Sequence, residues 1–125
     1  MFEEISEFGL GSEWIEVVKD LLKGLGVRFE AEESVRIHRD DIVIEISEKD
    51  RKFVVSVNLE IPKYIGLEDL DRYAKSYRDF LEIIAKTGLE PFYELDASIG
   101  YTFLRALIEI QNLDKLLEML KKVLS

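Results

Sequence analysis

The sequence predicts an α+β fold of order α-β-β-β-α-β-β-α, an antiparallel-rich sheet with its helices packed on one face. Two observations carry this. The spacing of apolar residues changes from about 3.6 to about 2 after Gly26 and returns to about 3.6 after Gly66. Between those glycines the alternating runs are separated only by Asp40-Asp41 and Glu48-Lys49-Asp50-Arg51. Breaks this short admit antiparallel turns but no parallel crossover.

The first helix is predicted to start at Ser12, whose hydroxyl suits an N-cap, with Glu13 and Glu16 complementing the positive end. Its apolar positions are Trp14, Ile15, Val17, Val18, Leu21, Leu22 and Leu25. Lys23 lies near the C-terminus, and Gly24 and Gly26 suit the left-handed conformation that closes a helix.

Val27, Phe29, Ala31, Val35 and Ile37 form the first alternating run, broken only at Glu33. Ile42, Ile44 and Ile46 form the second, and Phe53, Val55, Val57 and Leu59 the third. One face is apolar throughout, as expected of a sheet with one face on a core and the other largely polar. Ile61-Pro62 ends the third strand, because proline cannot donate to a ladder.

A second helix is predicted from Leu67 to Thr87, closed by Gly88, with Leu70, Tyr73, Ala74, Tyr77, Leu81 and Ile84 as its inner stripe. Glu68 and Arg72, Asp71 and Lys75, and Glu82 and Lys86 are four apart on its outer face, worth a few tenths of a kcal/mol each. Pro91 to Asp96 reads as a strand and Ala97-Ser98-Ile99-Gly100 as a turn.

The remainder, YTFLRALIEIQNLDKLLEMLKKVL, admits two readings. Phe103, Ala106, Ile110, Leu113, Leu117, Leu120 and Leu124 keep the spacing of one long helix. Alternatively Leu104, Ala106, Ile108 and Ile110 line a strand, and Asn112 caps a helix from Leu113 to Leu124. The second is preferred, because β-branched and aromatic residues crowd the stretch before a good helix start.

The 125 residues fit a single α+β domain, 1–125, long enough to bury roughly two thirds of the unfolded surface. The composition, 47% hydrophobic and 34% charged, is that of a folded chain, and no apolar run approaches the ~20 residues that span a bilayer. The acidic opening MFEEISEFGL predicts no signal peptide. Without cysteine there is no disulfide or thiolate chemistry, and a cytoplasmic location is expected. The net charge of −9 and the lack of clustered Lys and Arg argue against a nucleic-acid partner. Glu and Lys dominate the charged residues, with one Gln and two Asn, a usage like that of hyperthermophiles.

His38-Arg39-Asp40-Asp41 holds the only histidine. It matches the opening of a kinase catalytic loop, but the metal-binding Asn is replaced by Glu45. As a metal site it offers one imidazole and two adjacent carboxylates on a strand whose neighbours point to opposite faces. The expectation is a surface histidine followed by a turn. Gly24-Leu25-Gly26 follows a helix, whereas a phosphate cradle precedes one. In the stretch from Asp96 to Gly100 the glycine comes one position early for a calcium loop, and Leu107 stands where the closing Glu belongs. Ser12, Ser47, Ser56 and Ser98 have no histidine nearby in sequence for a triad. The tyrosines are expected in the core, Tyr73 and Tyr77 above all. No catalytic residue, cofactor or metal ligand is therefore assigned.

Two resemblances remain. The stretch DDIVIEISEKDRKFVVSVNLE looks like the metal-binding hairpin of PD-(D/E)xK nucleases. That resemblance would match Asp41 to the family's Asp and put Ser56-Val57-Asn58 where (D/E)-x-K belongs, which implies a catalytically degenerate member. Over nearly the whole chain, small size, acidity and element order resemble type III secretion chaperones and their fold relatives. That resemblance implies a non-enzymatic homodimer that binds polypeptides on apolar surface. The residues lend it some support: on a terminal strand Phe103 and Leu107 oppose Leu104, Ala106, Ile108 and Ile110, and a strand apolar on both faces needs cover on both. Tyr101, Phe103 and Leu107 are the predicted partner-binding residues of a homodimeric, chaperone-like module that takes a protein partner and neither nucleic acid nor membrane.

Overall fold

The computed structural model describes residues 2–97 and 100–125, with side chains from residue 13 onward. Its elements are helix α1 (Phe2–Leu25), strands β1 (Arg28–Ala31), β2 (Val35–Arg39), β3 (Ile42–Lys49) and β4 (Lys52–Pro62), helix α2 (Leu70–Thr87), strands β5 (Phe92–Ala97) and β6 (Tyr101–Ile110), and helix α3 (Leu113–Leu124). The six strands form one antiparallel sheet of order β1-β2-β3-β4-β6-β5. The predicted α+β class and element order hold, with one refinement. The first alternating run folds back at Glu32-Glu33-Ser34, so that Ala31 pairs with Val35 and the run supplies two strands. Both halves keep the same parity, and the apolar side chains stay on one face.

That face is the core. Val35, Ile37, Ile42, Ile44, Ile46, Val55, Val57, Leu59, Ala106 and Ile108 are buried beneath the three helices. Trp14, Val18 and Leu22 supply the buried stripe of α1, and Trp14 meets Phe53 edge-on with ring centroids 5.1 Å apart. Leu116, Leu120, Val123 and Leu124 do the same for α3. At about 1.5–3 kcal/mol per buried aliphatic side chain, this layer is the main source of stability.

The helix ends follow local chemistry. α1 begins at Phe2, so Ser12 lies inside it and is not its cap. Gly24 is helical. Gly26 alone takes the left-handed conformation (φ 71), donating to the Lys23 carbonyl while Val27 donates to Leu22. Those two bonds satisfy the last carbonyls of the helix. A 3-10 turn, Leu67–Asp69, leads into α2, and Gly88 (φ 67) closes it. The strand-then-helix reading of the C-terminus is the observed one: Asn112 precedes α3 and its side-chain oxygen accepts from the Lys115 N–H at 2.9 Å. The predicted turn Ala97-Ser98-Ile99-Gly100, and Ser98 with it, falls partly outside the described residues.

The inner stripe of α2 is corrected. Ser76, Phe80, Ile83, Ile84 and Thr87 are buried, whereas Leu70, Tyr77 and Leu81 are 49%, 45% and 41% exposed. Two polar residues reach the core side because each has a partner there. Ser76 donates to Asp41 at 2.7 Å, and Thr87 donates to the Ile84 carbonyl at 2.7 Å. The tyrosines are corrected with it: Tyr73 is only partly buried, and Tyr64, Tyr77, Tyr93 and Tyr101 are exposed.

Candidate functional site

The face of the sheet opposite the helices is concave and encloses about 670 Å³. The strand register sets its side chains in rows. Glu30, Arg36, Glu45, Ser56, Leu107 and Phe92 make one row across all six strands, and Arg28, His38, Val43, Asn58, Arg105 and Glu94 the next. Glu60, Phe103 and Asp96 begin a third.

The centre of this face is a closed polar network. Ser56 donates to Asn58 Oδ1 at 3.1 Å, and Asn58 Nδ2 donates to the carbonyls of Val43 and Ser56, each at 3.2 Å. Arg105 Nε donates to Asn58 Oδ1 at 2.8 Å, and its Nη1 lies 3.8 Å from Glu94. On the β2 side Arg36 pairs with Glu45 at 3.5 Å. Among the described residues no buried side-chain polar atom lacks a hydrogen-bond partner. Apolar groups border the network: Val43, Val54, Phe103 and Leu107 are half-buried and, among the described residues, line the open concavity.

The predicted partner residues all lie on this face. Phe103 and Leu107 flank Arg105, and Tyr101, 44% exposed, stands at the strand end opposite Pro62. His38 lines the same concavity. The sequence predicts a surface histidine there, and the register puts it on the same face as Phe103 and Leu107. Sequence reasoning missed Asn58 and Arg105, whose pairing joins β4 to β6 across 47 residues.

The four residues His38-Arg39-Asp40-Asp41 separate into distinct roles. His38 Nε2 sits 2.6 Å from Glu30, and this hydrogen bond holds the exposed Glu30 carboxyl below its usual range. Arg39 donates to the Val123 carbonyl at 3.1 Å, capping the last turn of α3. Asp40 takes the left-handed turn conformation (φ 55). Asp41 accepts from Arg72 Nε at 3.1 Å and also from Arg72 Nη2, while Ser76 donates to it at 2.7 Å. The Arg72 hydrogen bonds hold its carboxyl below the ordinary carboxylate range, against a smaller opposing effect of burial. Asp41 thus stands in the expected turn between β2 and β3 and clamps the sheet to α2.

This bears on chemistry. A metal-holding Asp at position 41 would have to leave Arg72 and Ser76. Ser56 donates to an amide, and His38 stands two strands away, roughly 10 Å across the sheet. Among the described residues no group of three or more His, Cys, Asp or Glu side chains is placed to hold a metal ion. Nor is any helix among them long and apolar enough to cross a membrane.

Neither the protein-family models nor the curated proteins contain a match to this chain. Among solved structures, it is similar to the crystal structure of YbjN from E. coli, a candidate transcription regulator. The two are 15% identical, with a TM-score of 0.48 over 86% of this chain and 81% of that one.

Proposed function

We propose that the protein is a non-enzymatic, chaperone-like binding module that works as a homodimer and takes a polypeptide partner, with the open sheet face around Tyr101, Phe103 and Leu107 as the contact surface. The observation that carries this reading is the state of Phe103 and Leu107. Both are half-buried on the concave face opposite the helix layer, beside a polar centre whose hydrogen bonds are satisfied among the described residues. Such a face gains by excluding water from apolar groups and has little to gain from a small polar ligand. Its charges are of both signs, Arg36 and Arg105 against Glu45, Glu60 and Glu94, so a second copy can set the bases of one face against acids of the other.

Sedimentation velocity tests the reading. The wild-type chain is expected to be dimeric at micromolar concentration, and Phe103→Asp and Leu107→Asp to be monomeric with unchanged circular dichroism. A wild-type chain that stays monomeric at high micromolar concentration overturns the homodimer. Metal-dependent nuclease activity abolished by Asp41→Ala would overturn the non-enzymatic reading.

A further inference from the structure

β5 is the last strand of the sheet, bonded to β6 on one side and to no described element on the other. All six of its residues are exposed. An edge of this kind is a template for another strand, with about 20 Å of backbone available.

Its two faces differ in chemistry. Tyr93, Leu95 and Ala97 pair with Ala106, Leu104 and Thr102 and so point to the helix side; Tyr93 is 51% and Leu95 71% exposed. α2 does not cover them. Lys75, Asp79, Glu82 and Lys86 line a groove shared with Val123 of α3, and helical spacing therefore turns Leu70, Tyr77 and Leu81 away from α3. On the opposite side of β5 stand Phe92, Glu94 and Asp96. The edge is thus apolar towards the helix layer and acidic towards the open face.

We propose that the free edge of β5 accepts an extended polypeptide segment whose side chains alternate apolar and basic. The inference rests on the binding-module reading and uses the free edge of the sheet, whose open-face residues Glu94 and Asp96 border Phe103 and Leu107. Main-chain bonds to β5 would extend the sheet, apolar side chains would join Tyr93 and Leu95, and lysines or arginines would face Glu94 and Asp96. A second copy of β5 is the wrong occupant. In antiparallel pairing about a twofold axis normal to the sheet, the two registers of greatest overlap set Glu94 against Glu94 or against Asp96, and like charges opposed across a ladder are unfavourable. The net charge of −9 adds attraction for a basic segment.

The test uses the full chain and capped ten-residue peptides alternating Lys with Val, Glu with Val, and Lys with Ser. The Lys–Val peptide is expected to bind at least tenfold more tightly than either control, to weaken as salt rises, and to protect the amides of β5 from hydrogen exchange. Glu94→Lys with Asp96→Lys should reverse the preference to the Glu–Val peptide with unchanged circular dichroism. Equal binding of the Lys–Val peptide by wild type and this variant, no binding, or protection outside β5 overturns the proposal. So does β5 protection that grows with protein concentration alone, which would assign the edge to a second copy. Sedimentation of the same samples separates the two readings: a monomeric wild-type chain that binds the Lys–Val peptide overturns the dimer alone, and a dimer that does not bind it overturns this proposal alone.

Discussion

Asp41 and Arg72 lie 31 residues apart and are joined by two hydrogen bonds, Nε to Oδ2 at 3.1 Å and Nη2 to Oδ1, with Ser76 donating to the same carboxylate. This bridge ties the turn between β2 and β3 to the first turns of α2. Two positions back, at the end of β2, Arg39 ties the sheet to the end of α3. Two of the three helices are therefore anchored by a single tetrapeptide.

Asp41→Asn keeps the shape of the side chain and removes its charge. The expected loss is about 1–2 kcal/mol, at the low end for a charged hydrogen bond because Arg72 is largely exposed. Arg72→Met should also destabilise, and the double variant should lose less than the sum of the two, read from urea midpoints.

The bridge also sets a direction for pH. The Asp41 carboxyl binds its proton more weakly in the folded chain than in the unfolded one, so acidification favours unfolding. The contribution is complete above about pH 4, the ordinary Asp range, and disappears as pH falls through the lowered folded value. Glu30, held low by His38, acts in the same direction but from an exposed position. Stability measured from pH 6 to pH 2 should fall less steeply for Asp41→Asn than for wild type. A parallel decline in both would show that the bridge contributes nothing.

Rotation of α2 relative to its apolar pattern is checked by two adjacent residues. Phe80 is fully buried and Leu81 is 41% exposed. Phe80→Ala should cost about 3–5 kcal/mol. Leu81→Ala should cost under about 1 kcal/mol, as for a surface position. Equal costs would put the helix the other way round.

Two glycines near the end of α1 should respond with opposite signs. Gly24 is helical with no atom within 4 Å of an added Cβ, so Gly24→Ala should stabilise by about 0.5–1 kcal/mol. The space beside Gly26 is equally open, but its φ of 71 is costly for an L side chain. Gly26→Ala should destabilise by about 1 kcal/mol, measured by thermal unfolding.

Periodicity was enough to place the strand faces, because alternation is a property of the backbone and needs no partner, but it did not show the fold-back that splits the first run into β1 and β2. Val35, Ile37, Ile44, Ile46, Val55 and Val57 share a face in any antiparallel arrangement that keeps their register. The cap at Asn112 and the close at Gly88 were legible for the same reason: each bond spans only a few residues. The buried arc of α2 was not. Its apolar arc is wider than the surface it covers, and Ser76 and Thr87 enter the core through partners that a hydrophobic pattern does not register.

The sequence by itself determined the two faces of the sheet and, but for one fold-back in the first run, the order of the elements. The tertiary structure decided that His38, Phe103 and Leu107 share one concave face, that Asp41 serves α2, and that β5 is left at the edge. Each of these depends on which distant strand or helix lies alongside, and a single chain carries no local signal for that choice.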